Sequence, residues 1–298
     1  MEKEEIESFQ QFILDKSKNG QKANILALVG SGLSVSSGLH TYGNNSDLAS
    51  NVSWRNYSSI DLATPDAFET NPGLVWLFYA YRRHLALLAT PNNGHKILAD
   101  LSNLTSNLNF LTITQNMDGL HERVHHNSDS LLEFHGSLFE VICTNFNCNY
   151  RSFNFNDPLT PSLDVTKYID SKTMELPKIE NISQLPLCPI CGTLLRPGVI
   201  WFGEALPLYL IDKADEFIID YNIDILLIIG TSHSIWPTSS YIDLIKNQGG
   251  KIAVFNTIRD LELEKLNSTT KVWQFIGDCA TTLPEIFNPI LINWKNSQ

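Results

Sequence analysis

No apolar run in this chain approaches the ~20 residues that a membrane-spanning helix needs, so no membrane partner is expected. No targeting segment is expected either. The first residues, Met1-Glu2-Lys3-Glu4-Glu5-Ile6-Glu7, are acidic, unlike a secretory signal or an Arg-rich, acid-poor mitochondrial presequence. A cytoplasmic or nuclear location is therefore expected. Positive charge is scarce: 21 Lys and Arg face 32 Asp and Glu, for a net charge of −11. That balance argues against direct nucleic-acid binding, because phosphates need basic patches. It suits a cationic partner such as a lysine-rich peptide. Internal repeats are absent too.

The 298 residues, 43% hydrophobic and 18% charged, are enough for a main core and a smaller lobe. Cysteines are few but grouped. Cys143 and Cys148 form a C-x4-C pair beside Asn145, Asn147 and Asn149; Cys188 and Cys191 form C-x2-C beside Pro189 and Gly192. In a chain without a secretory signal, such thiols read as metal ligands before disulfides. Two knuckles of that spacing close one tetrahedral thiolate site, the coordination of a structural zinc. The polar segment 152–184 reads as an insert between them.

Elsewhere helices and strands alternate. Helices are expected at 6–16, 73–88, 93–106, 209–221 and from 238 to the Gly249-Gly250 pair; strands are expected at 25–29, 110–114, 223–229, 251–255 and 272–276. That alternation implies a parallel, doubly wound sheet. The expected fold is α/β, with a Rossmann-like large domain, a smaller zinc-binding module built on the four paired cysteines, and a helical insertion. The expected boundaries are 1–45, 90–138 and 199–298 for the large domain, 46–89 for the helical part of the small domain and 139–198 for its zinc-binding part.

Several strands end in small or polar residues: Gly30-Ser31-Gly32, Thr114-Gln115-Asn116 with Asp118, Gly230-Thr231-Ser232, and Asn256-Thr257. Ligands of open α/β sheets bind at those carboxyl ends, so one long nucleotide crevice is expected. A Gly-x-Gly turn before a helix lets backbone N–H groups face a phosphate; with the third glycine of the usual fingerprint missing, a plain tight turn fits as well. His135, next to Gly136 at an element end, can approach a ligand and titrate near neutrality. Turn-capping amides with an ordinary core-edge histidine are the alternative. On the 73–88 helix, Leu74, Leu77, Phe78, Tyr81, Leu85 and Leu88 fall on one stripe. Tyr79 and Arg82 lie on its flank, partly buried, with their polar ends converging; an Arg snorkelling over a Tyr gives the same pattern.

In this order the motifs resemble those of the sirtuins, the NAD-dependent protein deacylases. The matching pieces are Gly30-Ser31-Gly32-Leu33-Ser34 with Ser37-Gly38, Thr114 to His121, Phe134-His135-Gly136 and the four cysteines. They continue with Leu195-Arg196-Pro197, Trp201-Phe202-Gly203-Glu204, Gly230-Thr231-Ser232, Asn256-Thr257 and Thr282-Leu283-Pro284. The resemblance runs from about Ile25 to Ile286. Within the family, Asp61-Leu62-Ala63-Thr64-Pro65, Tyr79-x-x-Arg82 and Gly277-Asp278-Cys279 look like class III, which removes acidic acyl groups from lysine.

The resemblance implies roles. His135 would be the general base acting on a ribose hydroxyl of NAD. Asn116 would orient ribose or a water, and Asp118 would bind the nicotinamide carboxamide. Gly30, Ser31, Gly32, Ser34, Tyr42, Gln115, Gly230, Thr231, Ser232, Asn256, Thr257 and Cys279 would complete the cofactor site. Arg82 would fork to the carboxylate of a succinyl, malonyl or glutaryl group, with Tyr79 adding a hydroxyl. Ala63 would leave room for the acyl group. Val199, Trp201, Phe202, Gly203, Glu204, Ile235 and Trp236 would hold an acyl-lysine peptide or protein, partly as an added strand. The products implied are lysine, nicotinamide and an acyl-ADP-ribose.

One departure stands out. Where the family carries an arginine in the loop after its Ser-Gly, this chain reads His40-Thr41-Tyr42-Gly43. Lower NAD affinity is expected, and the rival readings are a deacetylase or short-chain deacylase with a structural Tyr79/Arg82 pair, or an NAD- or acyl-lysine-binding protein with weak turnover.

Overall fold

The structure, a computed structural model, describes residues 3–41, 53–54, 57–168, 175–231 and 238–296. The helices are α1 (Lys3–Lys16), α2 (Ser59–Leu62), α3 (Pro65–Thr70), α4 (Pro72–Leu88), α5 (Asn93–Asn103), α6 (Leu208–Tyr221), α7 (Thr238–Asn247), α8 (Leu261–Lys265) and α9 (Cys279–Asn296). The strands are β1 (Ala23–Val29), β2 (Ser53–Trp54), β3 (Tyr57–Ser58), β4 (Leu108–Thr114), β5 (Leu131–Glu133), β6 (Gly136–Cys143), β7 (Arg151–Phe153), β8 (Leu195–Val199), β9 (Ile225–Ile229), β10 (Lys251–Asn256) and β11 (Val272–Ile276).

Six strands form one parallel sheet in the order β11-β10-β9-β1-β4-β5. From β1 the chain builds outward through β4 to β5, then crosses to the other side and builds from β9 to β11. The order therefore reverses between β1 and β9, the place where such sheets bind their ligands. Strand β1 shows why both faces are covered. Ile25, Ala27 and Val29 belong to one apolar cluster with residues of α1, α5 and α9, while Leu26 and Leu28 belong to another with residues of α6, α7 and α8. A run apolar at every position buries both faces and asks for helices on each. Phe9 of α1 seats the first layer, with its ring edge-on to Trp273, Phe275 and Phe287 at centroid distances of 5.4, 5.3 and 5.6 Å.

A second, antiparallel sheet, β7-β6-β8, carries the cysteine knuckles. Helix α4 packs on it. Asn71 caps α4 by accepting from the Leu74 amide at 3.0 Å, and Pro72 opens the first turn. Trp76 Nε1–H donates to the Leu195 carbonyl at 2.9 Å. The Arg83 guanidinium donates to the carbonyls of Leu138, Asn154 and Asn156 and lies over the Phe139 ring. The helix is thus buried around most of its girth, and the expected single stripe is corrected. Val75, Trp76, Tyr79, Arg83 and Ala86 are buried, whereas Leu88 at its end is 68% exposed.

The chain passes between the two sheets at His135, which joins β5 to β6, and again at Ile200, after β8. The two passages are stitched: the Ile200 amide donates to the His135 carbonyl at 2.9 Å. Gly136 has φ +73°, and a Cβ there would stand 2.2 Å from the Gly198 carbonyl oxygen. Only glycine satisfies both conditions. Among the described residues, no helix is long and apolar enough to cross a membrane.

Candidate active site

The carboxyl ends of β1 and β9 meet backbone to backbone. A Cβ on Gly32 would lie 2.7 Å from Gly230 Cα, and one on Gly230, at φ +58°, would lie 2.5 Å from the Leu33 nitrogen. The Gly30 and Gly32 amides donate to the Ile229 and Gly230 carbonyls at 2.9 and 2.8 Å. The N–H groups expected to face an anion are therefore taken up by the neighbouring strand end. These glycines serve close packing at the switch point, and Ser31–Ser37, which follows Gly30 and contains Gly32, is a 3-10 helix.

Ser34, in that turn, is buried at the centre of a polar cluster. Its hydroxyl donates to Asp118 Oδ2 at 2.7 Å, and the Asn116 side-chain amide donates to the Gly30 carbonyl and to Ser34 Oγ at 3.1 and 3.3 Å. The Leu120 amide donates to Asp118 Oδ1 at 3.1 Å. Burial holds the Asp118 pKa above the usual carboxylate range. The Ser34 and Leu120 donors oppose that rise, Glu122 adds to it, and the positive charge of Arg82 opposes it again.

Behind Ser34 stand three buried histidines to which the sequence assigns no role, although His121 closes the Thr114–His121 motif. His95 Nε2 is 3.5 Å from Ser34 Oγ, and its ring meets that of His121 edge-on at 5.2 Å. His121 in turn meets His126 at 5.5 Å. Burial lowers the pKa of His95 and His126 to about 4 and that of His121 well below the ordinary value. All three are neutral near pH 7. Their sequence signal was weak, since a histidine in an apolar helix or turn carries no periodic signature.

His135 lies where the two sheets join. Its Nδ1 is 3.1 Å from the Gln115 carbonyl oxygen, which can only accept. Nδ1 therefore carries the proton and Nε2 keeps a lone pair, the form a general base needs. Burial lowers the His135 pKa, partly offset by that carbonyl, so the ring is neutral near pH 7. The rest of the crevice rim is tied together: Thr231 Oγ1 donates to Gln115 Oε1 at 2.9 Å, and the Asn256 side-chain amide donates to the Thr231 carbonyl at 3.4 Å. Thr257 is exposed. Cys279 is buried, its thiol directed to the Phe255 carbonyl and its pKa pushed up to about 12 by burial.

On the small-sheet side, Ala63, Phe68, Tyr79, Val199 and Trp201 share one apolar cluster. Tyr79 is 1% exposed, more buried than its expected flank position. Its hydroxyl oxygen accepts from Trp201 Nε1–H at 3.0 Å. Arg82 is partly exposed and lies over the Phe78 ring at 5.7 Å. Phe202 is 54% exposed, and its amide donates to the Ala63 carbonyl at 2.9 Å. Glu204 is paired with Arg196 at 2.6 and 2.8 Å and accepts from the Trp201 amide at 2.8 Å. Burial pushes the Glu204 pKa up, but Arg196 and that amide outweigh it, and the net shift is downward. Tyr42, Ser232, Ile235 and Trp236 lie outside the described residues, as do Gly43 and Arg55.

The four cysteine sulfurs all lie within 4.8 Å of one another. Cys143 and Cys191 are 3.5 Å apart, and Cys148 and Cys188 are 3.7 Å apart. Four thiolates at Zn–S of about 2.3 Å would stand about 3.8 Å apart in a tetrahedron. The donor set and its spacing fit zinc, with all four corners filled by protein.

These features define an α/β protein with a ligand crevice at a sheet switch point, joined to a tetracysteine metal module. The chain belongs to the Sir2 family: the family model matches residues 30–237. It is 45% identical to an NAD-dependent protein deacylase of Candida albicans over 90% of this chain and 94% of that protein. It is 35% identical to the NAD-dependent protein deacylase sirtuin-5, mitochondrial, of Canis lupus familiaris, over 89% and 81% of the two chains. Among solved structures it is similar to a Sir2 homologue in complex with NAD, with a TM-score of 0.74 and 29% identity over 96% and 94% of the chains.

Proposed function

We infer that this protein is an NAD-dependent protein deacylase that removes acidic acyl groups from lysine side chains. The placement of His135 carries the activity. It joins the parallel sheet to the small sheet, and with Nδ1 held on the Gln115 carbonyl its Nε2 is the atom left to take a proton. NAD would be held at the carboxyl ends of β1, β4 and β9 and would supply the ribose that accepts the acyl group, with nicotinamide as the leaving group. His135 draws the proton from the ribose hydroxyl that takes over the acyl group. Asn116 and Asp118 hold the nicotinamide end of the cofactor, kept in place by Ser34. Ser31 and Thr231, beside the mutually packed Gly30, Gly32 and Gly230, would border the cofactor's centre, and Asn256, Thr257 and the Cys279 segment its adenosine half. Cys143, Cys148, Cys188 and Cys191 would hold zinc as a cross-link of the small sheet, away from the chemistry.

Arg82 supports the acidic preference. It sits one helical turn from Tyr79 and lies over Phe78, both of the cluster that contains Ala63 and Trp201. A guanidinium there can fork to the terminal carboxylate of a succinyl, malonyl or glutaryl chain. The Tyr79–Trp201 hydrogen bond favours a second reading, in which Tyr79 is structural and the pocket takes short neutral acyl groups. A mass-spectrometric panel of succinyl-, malonyl-, glutaryl- and acetyl-lysine peptides of one sequence separates them. The acidic reading predicts faster turnover of the first three; faster acetyl turnover would replace it with the second.

A further inference from the structure

We propose that Arg196 is a positioning residue for the substrate peptide, holding the Trp201–Glu204 turn in the shape that receives it. This rests on the deacylase reading above. The Arg196 guanidinium makes five contacts at once, the weakest from Nε to the Pro197 carbonyl at 3.5 Å. It forks to both Glu204 carboxylate oxygens, donates to the Val199 carbonyl at 2.9 Å, and stacks on the Trp201 indole at 3.6 Å. A planar cation can stack and fork together, which an ammonium cannot. Glu204 passes the constraint on by accepting from the Trp201 amide, and the Trp201 amide and ring are thereby fixed at both ends.

The turn that this clamp closes is pinned at three amides: Trp201 donates to Glu204 Oε2, Phe202 to the Ala63 carbonyl and Glu204 to the Trp201 carbonyl at 3.0 Å, which leaves Gly203 as its accessible stretch. Between the anchored Trp201 and Glu204 lie Phe202, more than half exposed, and Gly203, at φ +89°. A Cβ on Gly203 would meet no atom within 4 Å, so that face is open. Phe202 is tied to Ala63 through its amide. The clamp thus sits behind an open strip of chain at the junction of the two sheets, beside the cluster assigned to the acyl group. An extended peptide pairing with that strip would gain main-chain hydrogen bonds in proportion to how well the turn is preorganised. Among the described residues Arg196 contacts Pro197, Val199, Trp201 and Glu204, so its loss should act on the peptide and leave NAD alone.

The test compares wild type, Arg196→Lys, Glu204→Gln and the double variant. Binding of a succinyl-lysine peptide and of NAD is measured separately by calorimetry, with zinc content as a check on the fold. The peptide Kd should rise roughly tenfold in each single variant, the value of one good charge-assisted hydrogen bond. The double variant should lose little more, because the two residues act as one unit. NAD affinity should stay within about twofold, since no partner of Arg196 lies on the crevice. Should Arg196→Lys fail to fold, Glu204→Gln carries the comparison. Unchanged peptide affinity in a folded variant, or parallel loss of peptide and NAD affinity, overturns the proposal. A wild type that binds peptide and NAD yet turns over neither contradicts the deacylase reading, while the binding comparison still decides the role of Arg196.

Discussion

Trp201 Nε1–H donates to the Tyr79 hydroxyl oxygen at 3.0 Å, joining the chain that leaves the metal sheet to the helix that carries Arg82. This bond separates two residues that the sequence places in one role. Tyr79→Phe leaves a buried indole donor unsatisfied, which costs ~1–3 kcal/mol. It should therefore slow succinyl- and acetyl-lysine substrates together and lower stability. Arg82→Met has a different expected signature. Loss of a charge-assisted bond to the acyl carboxylate, worth ~1.5–3 kcal/mol, lowers succinyl turnover about tenfold to hundredfold. Acetyl turnover should hold or rise. The succinyl-to-acetyl ratio of kcat/KM is the quantity to measure; equal slowing of both by Arg82→Met would make Arg82 structural.

Metal removal should unfold the small sheet. Cys143→Ser breaks a four-thiolate set whose geometry matches zinc, and metal binding is coupled to folding in such sites. Zinc content by elemental analysis and the thermal midpoint should fall together. Equal midpoints with and without a chelator would count against a structural zinc.

Buried neutral histidines give the fold an acid limit. The folded pKa of His126 is about 4, against about 6.5 for a free imidazole. Its contribution is complete above the unfolded value and is lost as pH falls from about 6.5 toward 4, because only the unfolded chain takes up the proton there. Linkage over that window is worth about 2 kcal/mol at pH 4.5. His126→Gln removes the titration while sacrificing the contacts with Thr112 Oγ1 and the Asn127 carbonyl. Urea unfolding should show the variant less stable at pH 7 and the gap narrowing by about that amount at pH 4.5. His125, Glu122 and Glu133, which line the same cleft as His126, are present in both proteins. A gap independent of pH would show that His126 is not buried neutral.

The features that sequence made legible are those with a chemical or steric signature. Cysteine pairs announce a thiolate site, glycines at strand ends announce close backbone approach, and uniformly apolar runs announce strands buried on both faces. The doubly wound sheet and the tetracysteine cluster follow from those. Side-chain choice between neighbours was not legible. Arg82 and Arg83 look alike in the sequence, yet one residue on a helix turns the side chain by about 100°, the angular step of a 3.6-residue turn. Arg83 is buried on three carbonyls as a result, while Arg82 stays at the rim. The engagement of the Gly30 and Gly32 amides was equally hidden, because it depends on β9, some two hundred residues away in sequence. So was the Ser34–His95 approach, made by a helix whose histidine also completes its own N-terminal cap.

The most direct measurement counts products. Purified protein is incubated with a succinyl-lysine peptide, with and without NAD, and free lysine peptide and nicotinamide are quantified together, with His135→Ala as the comparison. The account predicts no deacylation without NAD, one nicotinamide released per acyl group removed, and turnover in His135→Ala reduced ~10²–10⁴-fold while the variant still folds and binds zinc. Deacylation that proceeds without NAD, nicotinamide release that does not track acyl loss, or near wild-type turnover in His135→Ala would contradict it.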